Sequence, residues 1–530
     1  MGLLIFLVFA VVLLVAMAAS EAERRKRIKQ AYIVNWDAAH GSARFATKKD
    51  VKRAGLFKSG GINIGFFEGR KLFVNSTSHI LLVAGARAGK LVTILAAAVL
   101  SLPKKYSLAL FDPKAEITCI CAHYLKASGR AVYVLNPYGI WLDRMKGLKQ
   151  ATFNPMSSLD PKSASFHADC DKLAEAICYE EAHTGDSHWI TSARLLISGI
   201  IAALAKYGAP ADKNLVAVRN VITGANGQSV FDFCRECMAL KDPYIRQKLA
   251  RFAVTADPKQ GIPGAEDSRE LNSIISTADT QTGWIGNEAI AESLKGGANE
   301  VSFKQLKRDP GTVISVCLPL AEFSVSDKWF RVLASTMTTD TLKEGLRGKG
   351  APVLAILDEV YQVGYLKVLA DAWGMAAGAA ALQLWAVYQD VSQIMAQFKT
   401  PGWQTMVQNS GAAMYFGVRD GEQTAEFVSK QCGITEVLSQ SKNVSIDPRT
   451  GEPLVNESCT QTARPLLHPD EVRFGLKPDE MLLFADGLPG VCRATRKPYF
   501  RCSDLKGKYR DNPYFQKDGA AARLVRWLFD

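Results

Sequence analysis

Residues Ser78–Thr93 read SHILLVAGARAGKLVT. The apolar run Ile80–Ala84 has the length and composition of a buried strand. Gly85 breaks it, and the apolar segment Leu91–Leu100 behind Lys90 reads as a helix. Strand, small-residue turn and helix with Gly89-Lys90 at the join is the layout of a phosphate-binding loop. Backbone N–H groups of such a turn converge on phosphate oxygens, and the helix N-terminus adds positive potential. Lys90 is placed to reach the β and γ phosphates, and the cradle comprises Ala84, Gly85, Ala86, Arg87, Ala88, Gly89, Lys90 and Leu91. Against the full pattern G-x-x-x-x-G-K-[ST] the stretch differs at two positions. Ala84 stands at the first glycine, and Leu91 stands where a hydroxyl would ligate Mg²⁺. The bland alternative is a glycine-containing turn of an ordinary α/β core, and the rest of the chain decides between the two.

Downstream, YSLALFDPKAE (Tyr106–Glu116) is a second apolar strand ending in Asp112-Pro113-Lys114, and AVYVLNPYG (Ala131–Gly139) is a third. Charged groups gathering at strand C-termini mark the edge where open α/β sheets bind ligands. After TVISVCL (Thr312–Leu318) comes VLAILDEV (Val353–Val360), whose apolar residues run into Asp358-Glu359. Beside a phosphate loop, such an Asp holds the Mg²⁺ shell and such a Glu polarises the attacking water. The strand Leu382–Tyr388 ends at Gln389, an amide suited to sense the γ-phosphate or orient water, and Ala412–Gly417 is expected to complete the sheet. Strands alternating with helices predict an α/β fold with a mostly parallel, doubly wound sheet.

Between Leu159 and Gln305 the texture is helical, as in FHADCDKLAEAICYEE and WITSARLLISGIIAALAKYG, which predicts an all-helical insert in the α/β domain. Its Trp189, Trp284, Lys241, Arg246, Lys248 and Arg251 are candidates for stacking and charge contacts with single-stranded nucleic acid; the alternative places the tryptophans in the core. Cys234 and Cys237 form a lone C-x-x-C in a helical stretch with no second ligand pair nearby, so zinc is not expected. With 48% hydrophobic and 22% charged residues the chain is an ordinary globular one, and its formal charge of +12 suits an anionic partner. Gly2–Ala19 carries no charge, and Arg24, Arg25, Lys26, Arg27 and Lys29 follow it. That asymmetry predicts an uncleaved transmembrane anchor with the body in the cytoplasm. Residues 31–77 are polar and glycine-rich, a β-rich lead-in in which helix is not expected.

Nine stretches, HGSARFA at His40, AGARAGK at Ala84, FDPKAE at Phe111, VYVLNPYG at Val132, FNP at Phe153, ILDEVYQVGYL at Ile356, LWAVYQD at Leu384, NSGAAMYFG at Asn409 and RPLLHPDEV at Arg464, occur in this order. With them the chain resembles the TraG/VirD-type coupling proteins of bacterial conjugation and type IV secretion, from residue 40 to about 500. The resemblance implies a RecA-like P-loop ATPase with an all-α domain and a membrane anchor. It further implies a homo-hexamer at the inner membrane that uses ATP and Mg²⁺ to deliver single-stranded DNA bound to a relaxase, or effector proteins, to the secretion channel. Lys90, Glu359 and Gln389 would be catalytic and Asp358 the metal ligand. The expected boundaries are 1–20 for the anchor, 21–77 for the lead-in, 78–158 and 306–502 for the nucleotide-binding domain, 159–305 for the all-α domain and 503–530 for a tail. The chain departs from the family at Leu91, at Ala115 (where DPK commonly continues with glycine) and at Ala376–Ala381, which lacks the usual arginine. Those departures keep a second reading open, a membrane recruitment platform that hydrolyses weakly.

Overall fold

The computed structural model describes residues 41–179, 187–257, 259, 263–346, 350–375, 381–419, 421–446 and 453–514. The expected anchor, the alanine run at 376–380 and the terminal AAARLVRWLFD lie outside these residues. The described residues form two compact units, one of 45–427 with 470–514, the other of 41–44 with 428–469.

The larger unit is built on a twelve-stranded sheet. In chain order its strands are β1 (Ile62–Phe67), β2 (Arg70–Val74), β3 (His79–Ala84), β4 (Ser107–Phe111), β5 (Val132–Leu135), β6 (Lys149–Gln150), β7 (Val313–Val316), β8 (Val353–Leu357), β9 (Leu382–Tyr388) and β10 (Ser410–Phe416). After the second unit follow β13 (Glu480–Ala485) and β14 (Cys492–Thr495). The spatial order is β2-β1-β14-β13-β10-β3-β9-β8-β4-β7-β5-β6. From β10 to β6 every pairing is parallel. The pairings from β10 outward through β13, β14, β1 and β2 are antiparallel. The sheet is therefore larger than expected: β10 does not complete it, because strands from both ends of the chain extend it. Strands β3, β4, β7, β8 and β9 are buried along their whole length. Continuous apolar runs rather than alternation are what a sheet covered on both faces requires.

The lead-in contains a helix, Lys48–Arg53, contrary to expectation. Thr47 and Asp50 close a reciprocal capping box there, with Thr47 N–H donating to Asp50 Oδ2 at 2.9 Å. Thr-x-x-Asp is a helix-start signal that outweighs the polar, glycine-rich surroundings.

The helical insert occupies the chain between β6 and β7. Its helices are Phe166–Ile177, Ser187–Tyr207, Leu215–Thr223, Val230–Cys237, Pro243–Leu249, Arg269–Thr282 and Glu288–Leu294. Side chains of Asn214, Ser229, Asp242, Ser268 and Asn287 cap five of them, so the sequence itself sets where they begin. Within the central helix, His188–Tyr207 is long and apolar enough to cross a membrane, yet 72% of its most apolar window is buried inside the fold. The two ends of the insert are tied together. Thr152 bridges to Glu300, Val301 N–H donates to Thr152 O at 2.9 Å, Phe153 N–H donates to Ser293 O at 2.8 Å, and the Phe153 and Phe303 rings lie 4.9 Å apart.

The smaller unit is a long hairpin, β11 (Ile434–Ile446) with β12 (Pro453–Pro465), in register from Ile434↔Pro465 to Ile446↔Pro453. Ser42 bridges to Thr435 on it, and Ala43 N–H donates to Ile434 O at 2.9 Å.

Candidate active site

Because β3, β9, β8 and β4 are neighbours in that order, the turns that follow them open at one edge. The four motifs read from the sequence therefore meet. Lys90 Nζ lies 3.1 Å from Asp358 Oδ1 and 3.0 Å from Glu359 Oε1. Gln389 Nε2 donates to Glu359 Oε2 at 3.0 Å. The three charged side chains are only 15%, 5% and 12% exposed for Lys90, Asp358 and Glu359, so their fields act with little screening. Burial alone would depress the Lys90 ammonium, but Asp358 and Glu359 together outweigh it and hold the lysine above its ordinary range. Burial likewise pushes Glu359 up, and Lys90, the Gln389 amide and Lys114 together bring it below the usual carboxylate range.

The loop itself is shaped by close backbone approach. Gly89 sits at φ 82° and Arg87 at φ 61°, the alternation that turns successive N–H groups toward one side. A side chain at Gly85 would start 2.3 Å from Gly417 O, and one at Gly417 would start 2.4 Å from Ala88 Cβ. Glycine is thus needed at 85, whereas Ala84 ends the buried strand with no such demand. Leu91 is buried in the core and opens a π-type turn, Leu91–Leu95, that runs into the helix Ala96–Leu100. The first hydroxyl in the helix is that of Thr93, and it donates to Gly89 O at 2.8 Å.

At the end of β4, Asp112 is wholly buried. Its Oδ2 accepts from Thr118 N–H and Oγ1, both at 2.8 Å, while Oδ1 has no hydrogen-bond partner. Burial pushes its carboxyl up to about 7, against the Thr118 hydrogen bonds and with the help of nearby Asp358. Asp358 Oδ1 is also buried without a hydrogen bond, because the 3.1 Å contact from Lys90 is an ion pair off the hydrogen-bonding direction. Carboxylate oxygens are the ligand type of a hard divalent cation, and each of these two could supply one ligand to a site otherwise completed by phosphate oxygens and water. Glu359 and Ala115 both adopt left-handed backbone, at φ 57° and 56°. Such strain concentrates at functional sites, and the value at 115 is one that glycine would adopt without strain.

Some contributors were not read from the sequence. Arg496 is buried just past β14 and packs its guanidinium 3.7 Å above the Phe416 ring. Burial lowers it to about 9, so it remains a cation at neutral pH. Inward positions of β14 are Cys492 and Ala494, and continuing that alternation by one step reaches Arg496, which is the signal that could have found it. The start of the tail also packs on this edge, with Asn512 Nδ2 donating to Glu116 Oε1 at 3.1 Å and Tyr514 Oη to Lys114 O at 3.3 Å. In the insert, Trp284 is buried and donates its Nε1–H to Gln281 O at 3.1 Å, so its ring is core and not a stacking platform. Lys248 is tied to Asp171 at 2.8 Å, which leaves Lys241 and Arg246 as the exposed cations of that patch. Cys234 and Cys237 are buried on their helix, and no metal-binding cluster occurs among the described residues.

A family described as Type IV secretory system Conjugative DNA transfer matches residues 27–518, and the chain belongs to that family. The conjugal transfer protein TraG of Escherichia coli is 25% identical over 472 residues, covering 82% of this chain and 71% of that protein. TraG of Agrobacterium fabrum is 22% identical, covering 77% of this chain and 58% of that protein. The type IV secretion system-coupling protein VirD4 of Bartonella quintana is 22% identical, covering 83% and 65%. Two of these three relatives are thus longer proteins of which the chain spans less than two thirds. Among solved structures, the plasmid coupling protein TrwB in complex with the ATP analogue ADPNP aligns with a TM-score of 0.61 at 16% identity, over 86% of this chain and 93% of that one. TrwB in complex with ADP and Mg²⁺ aligns at 0.59 and 14% identity, over 86% and 94%. That likeness shows a shared α/β P-loop fold.

Proposed function

We propose that the chain is an ATP-hydrolysing coupling protein of a conjugative or type IV secretion system. In this reading it is anchored in the inner membrane, assembles as a homo-hexamer, and delivers relaxase-bound single-stranded DNA or effector proteins to the secretion channel. The observation that carries the reading is the convergence of Lys90, Asp358, Glu359 and Gln389 at one buried edge. Family membership and TrwB's printed complexes with ADPNP and with ADP and Mg²⁺ support it. Lys90 releases its carboxylate partners to pair with the β and γ phosphates of ATP. Glu359, freed from Lys90 in a buried site that favours its neutral form, accepts a proton from the attacking water, and Gln389 fixes the orientation of the Glu359 carboxylate. Asp358, with Asp112 behind it, would hold Mg²⁺, which when bound neutralises phosphate charge. Exposed Lys241 and Arg246 on the insert are the candidate contacts to DNA.

One observation favours the weakly hydrolysing platform as the second reading. Leu91 offers no hydroxyl, and the nearby Thr93 hydroxyl is engaged with Gly89 O. The test is ATP hydrolysis by the full chain, with and without single-stranded DNA. The motor requires DNA-stimulated turnover that falls by about a hundredfold or more in Glu359→Gln, the scale of general-base removal. Turnover equal in wild type, Lys90→Ala and Glu359→Gln refutes it.

A further inference from the structure

Arg496 spends its donors on backbone carbonyls and one hydroxyl. Nη1 donates to Ala88 O at 2.9 Å and to Thr93 Oγ1 at 3.0 Å. Nε donates to Glu480 O at 3.3 Å, and Nη2 to Pro478 O. Its own N–H donates to Asp479 O at 2.6 Å. Thr93, accepting from Arg496, donates onward to Gly89 O at 2.8 Å, and Thr93 N–H reaches the same carbonyl at 2.9 Å. Two successive carbonyls of the phosphate loop, those of Ala88 and Gly89, are therefore held on the Arg496 side.

Peptide planarity turns this into a statement about donors. In a trans peptide the C=O of one residue and the N–H of the next point in opposite directions. Fixing Ala88 O and Gly89 O toward Arg496 and Thr93 fixes the N–H groups of Gly89 and Lys90 toward the opposite side, where a phosphate would lie. From this we infer that Arg496 is a positioning residue for nucleotide: it orients the N–H donors of the loop from behind without touching the phosphates itself. The inference deepens the proposed function and rests on that nucleotide site. It also suits a chain whose loop lacks the first glycine of the pattern and the hydroxyl after the lysine, since fewer groups of the loop itself define its shape. A cavity of about 290 Å³ is lined in part by Arg496, Thr495, Lys497, Phe66 and Arg501.

The test uses the full chain carrying Arg496→Lys, Arg496→Gln or Arg496→Ala. Two quantities are read: amide hydrogen exchange of residues 85–93 without nucleotide, and the dissociation constant of a fluorescent ATP analogue with KM and kcat for ATP. Lysine keeps the charge over Phe416 but lacks the fork. Arg496→Lys should therefore exchange faster in the loop and weaken nucleotide binding by about tenfold, the scale of misaligning one or two hydrogen bonds to a charged group. KM should rise by more than kcat falls. In Arg496→Ala, millimolar guanidinium entering the cavity should restore affinity, and methylammonium should restore less. If Arg496→Ala does not fold, Arg496→Lys and Arg496→Gln decide. Folded variants with wild-type exchange and wild-type affinity overturn the inference, and so does faster exchange with unchanged affinity. A wild-type chain that binds no nucleotide overturns the proposed function instead, a result the exchange measurement on nucleotide-free protein keeps distinct.

Discussion

Replacing Lys90 by methionine removes the cation from between two buried carboxylates while keeping an apolar stem of similar length. Asp358 and Glu359, 5% and 12% exposed, then face each other without it. Breaking a buried pair by removing one partner costs about 3–5 kcal/mol, and the retained Gln389 hydrogen bond and residual exposure reduce the expected loss here to about 2–4 kcal/mol. Glu359→Gln leaves the Lys90–Asp358 pair in place, so about 1 kcal/mol is expected. In the double variant one of the two stranded charges is gone, and its cost should fall short of the sum by about 1–2 kcal/mol. The sign with pH is also fixed. Glu359 is held below its ordinary range, so its contribution is present above the unfolded pKa and lost as pH falls through the folded one. Removing Lys90 takes away the largest cause of that lowering and leaves burial opposing ionisation, so the gap between wild type and Lys90→Met should narrow from pH 7 to pH 5. Hydrogen exchange of residues 353–363 in nucleotide-free protein with chelator, alongside thermal melting, measures both effects. Additive variants (within about 0.5 kcal/mol) with a gap that does not change with pH would refute the reasoning.

Gly417→Ala should disrupt nucleotide binding and lower the melting temperature, because its Cβ would start 2.4 Å from Ala88 Cβ at φ +58°; wild-type affinity would count against the close approach. His79 is buried, accepts from Leu384 N–H at Nδ1 and donates from Nε2 to Ala372 O, and burial lowers it from 6.5 to about 4 despite that last bond. A depressed base contributes stability above its unfolded pKa and loses it as pH falls, so up to about 3 kcal/mol should disappear between pH 7 and pH 4, less in His79→Gln. Ala115→Gly should relieve left-handed strain and change stability by no more than about 1 kcal/mol either way, since greater unfolded-chain freedom opposes the relief; a larger loss in thermal melting contradicts it. Charge removal at Lys241 and Arg246 should weaken salt-sensitive single-stranded DNA binding, whereas Trp284→Ala should lower the melting temperature, by about 3–5 kcal/mol of core loss.

The reacting edge was legible because each part is a short contiguous signal. Gly89-Lys90, Asp112-Pro113-Lys114, Asp358-Glu359 and Gln389 each end a buried apolar run, and a parallel sheet collects such ends on one side. What was not legible depends on distant pairing. Nothing local to CRAT at Cys492–Thr495 announces that β14 pairs with β1, more than four hundred residues earlier. Arg496 is one basic residue among many in the sequence, and only the fold places the carbonyls of Ala88, Pro478 and Glu480 around it. The hairpin β11–β12 is faint in the sequence because its strands alternate weakly, although DPRTGE between them is a turn signal. Thr47-Lys48-Lys49-Asp50 carries a readable capping pattern inside a stretch whose polar, glycine-rich composition argues against helix.

The stem formed by Thr152, Phe153, Glu300 and Phe303 gives the insert the connectivity of a graft. Entry and exit lie side by side, joined by backbone hydrogen bonds from Val301 to Thr152 and from Phe153 to Ser293. The insert is also packed on the helix Leu320–Leu346 that follows β7, where Trp329 Nε1 donates to Ser293 Oγ at 3.0 Å and Arg331 Nε to Ala176 O at 3.1 Å. A segment attached in this way varies freely only on the surface that faces away from that helix, because Ser165, Ala176 and Ser293 must keep their partners Lys343, Arg331 and Trp329.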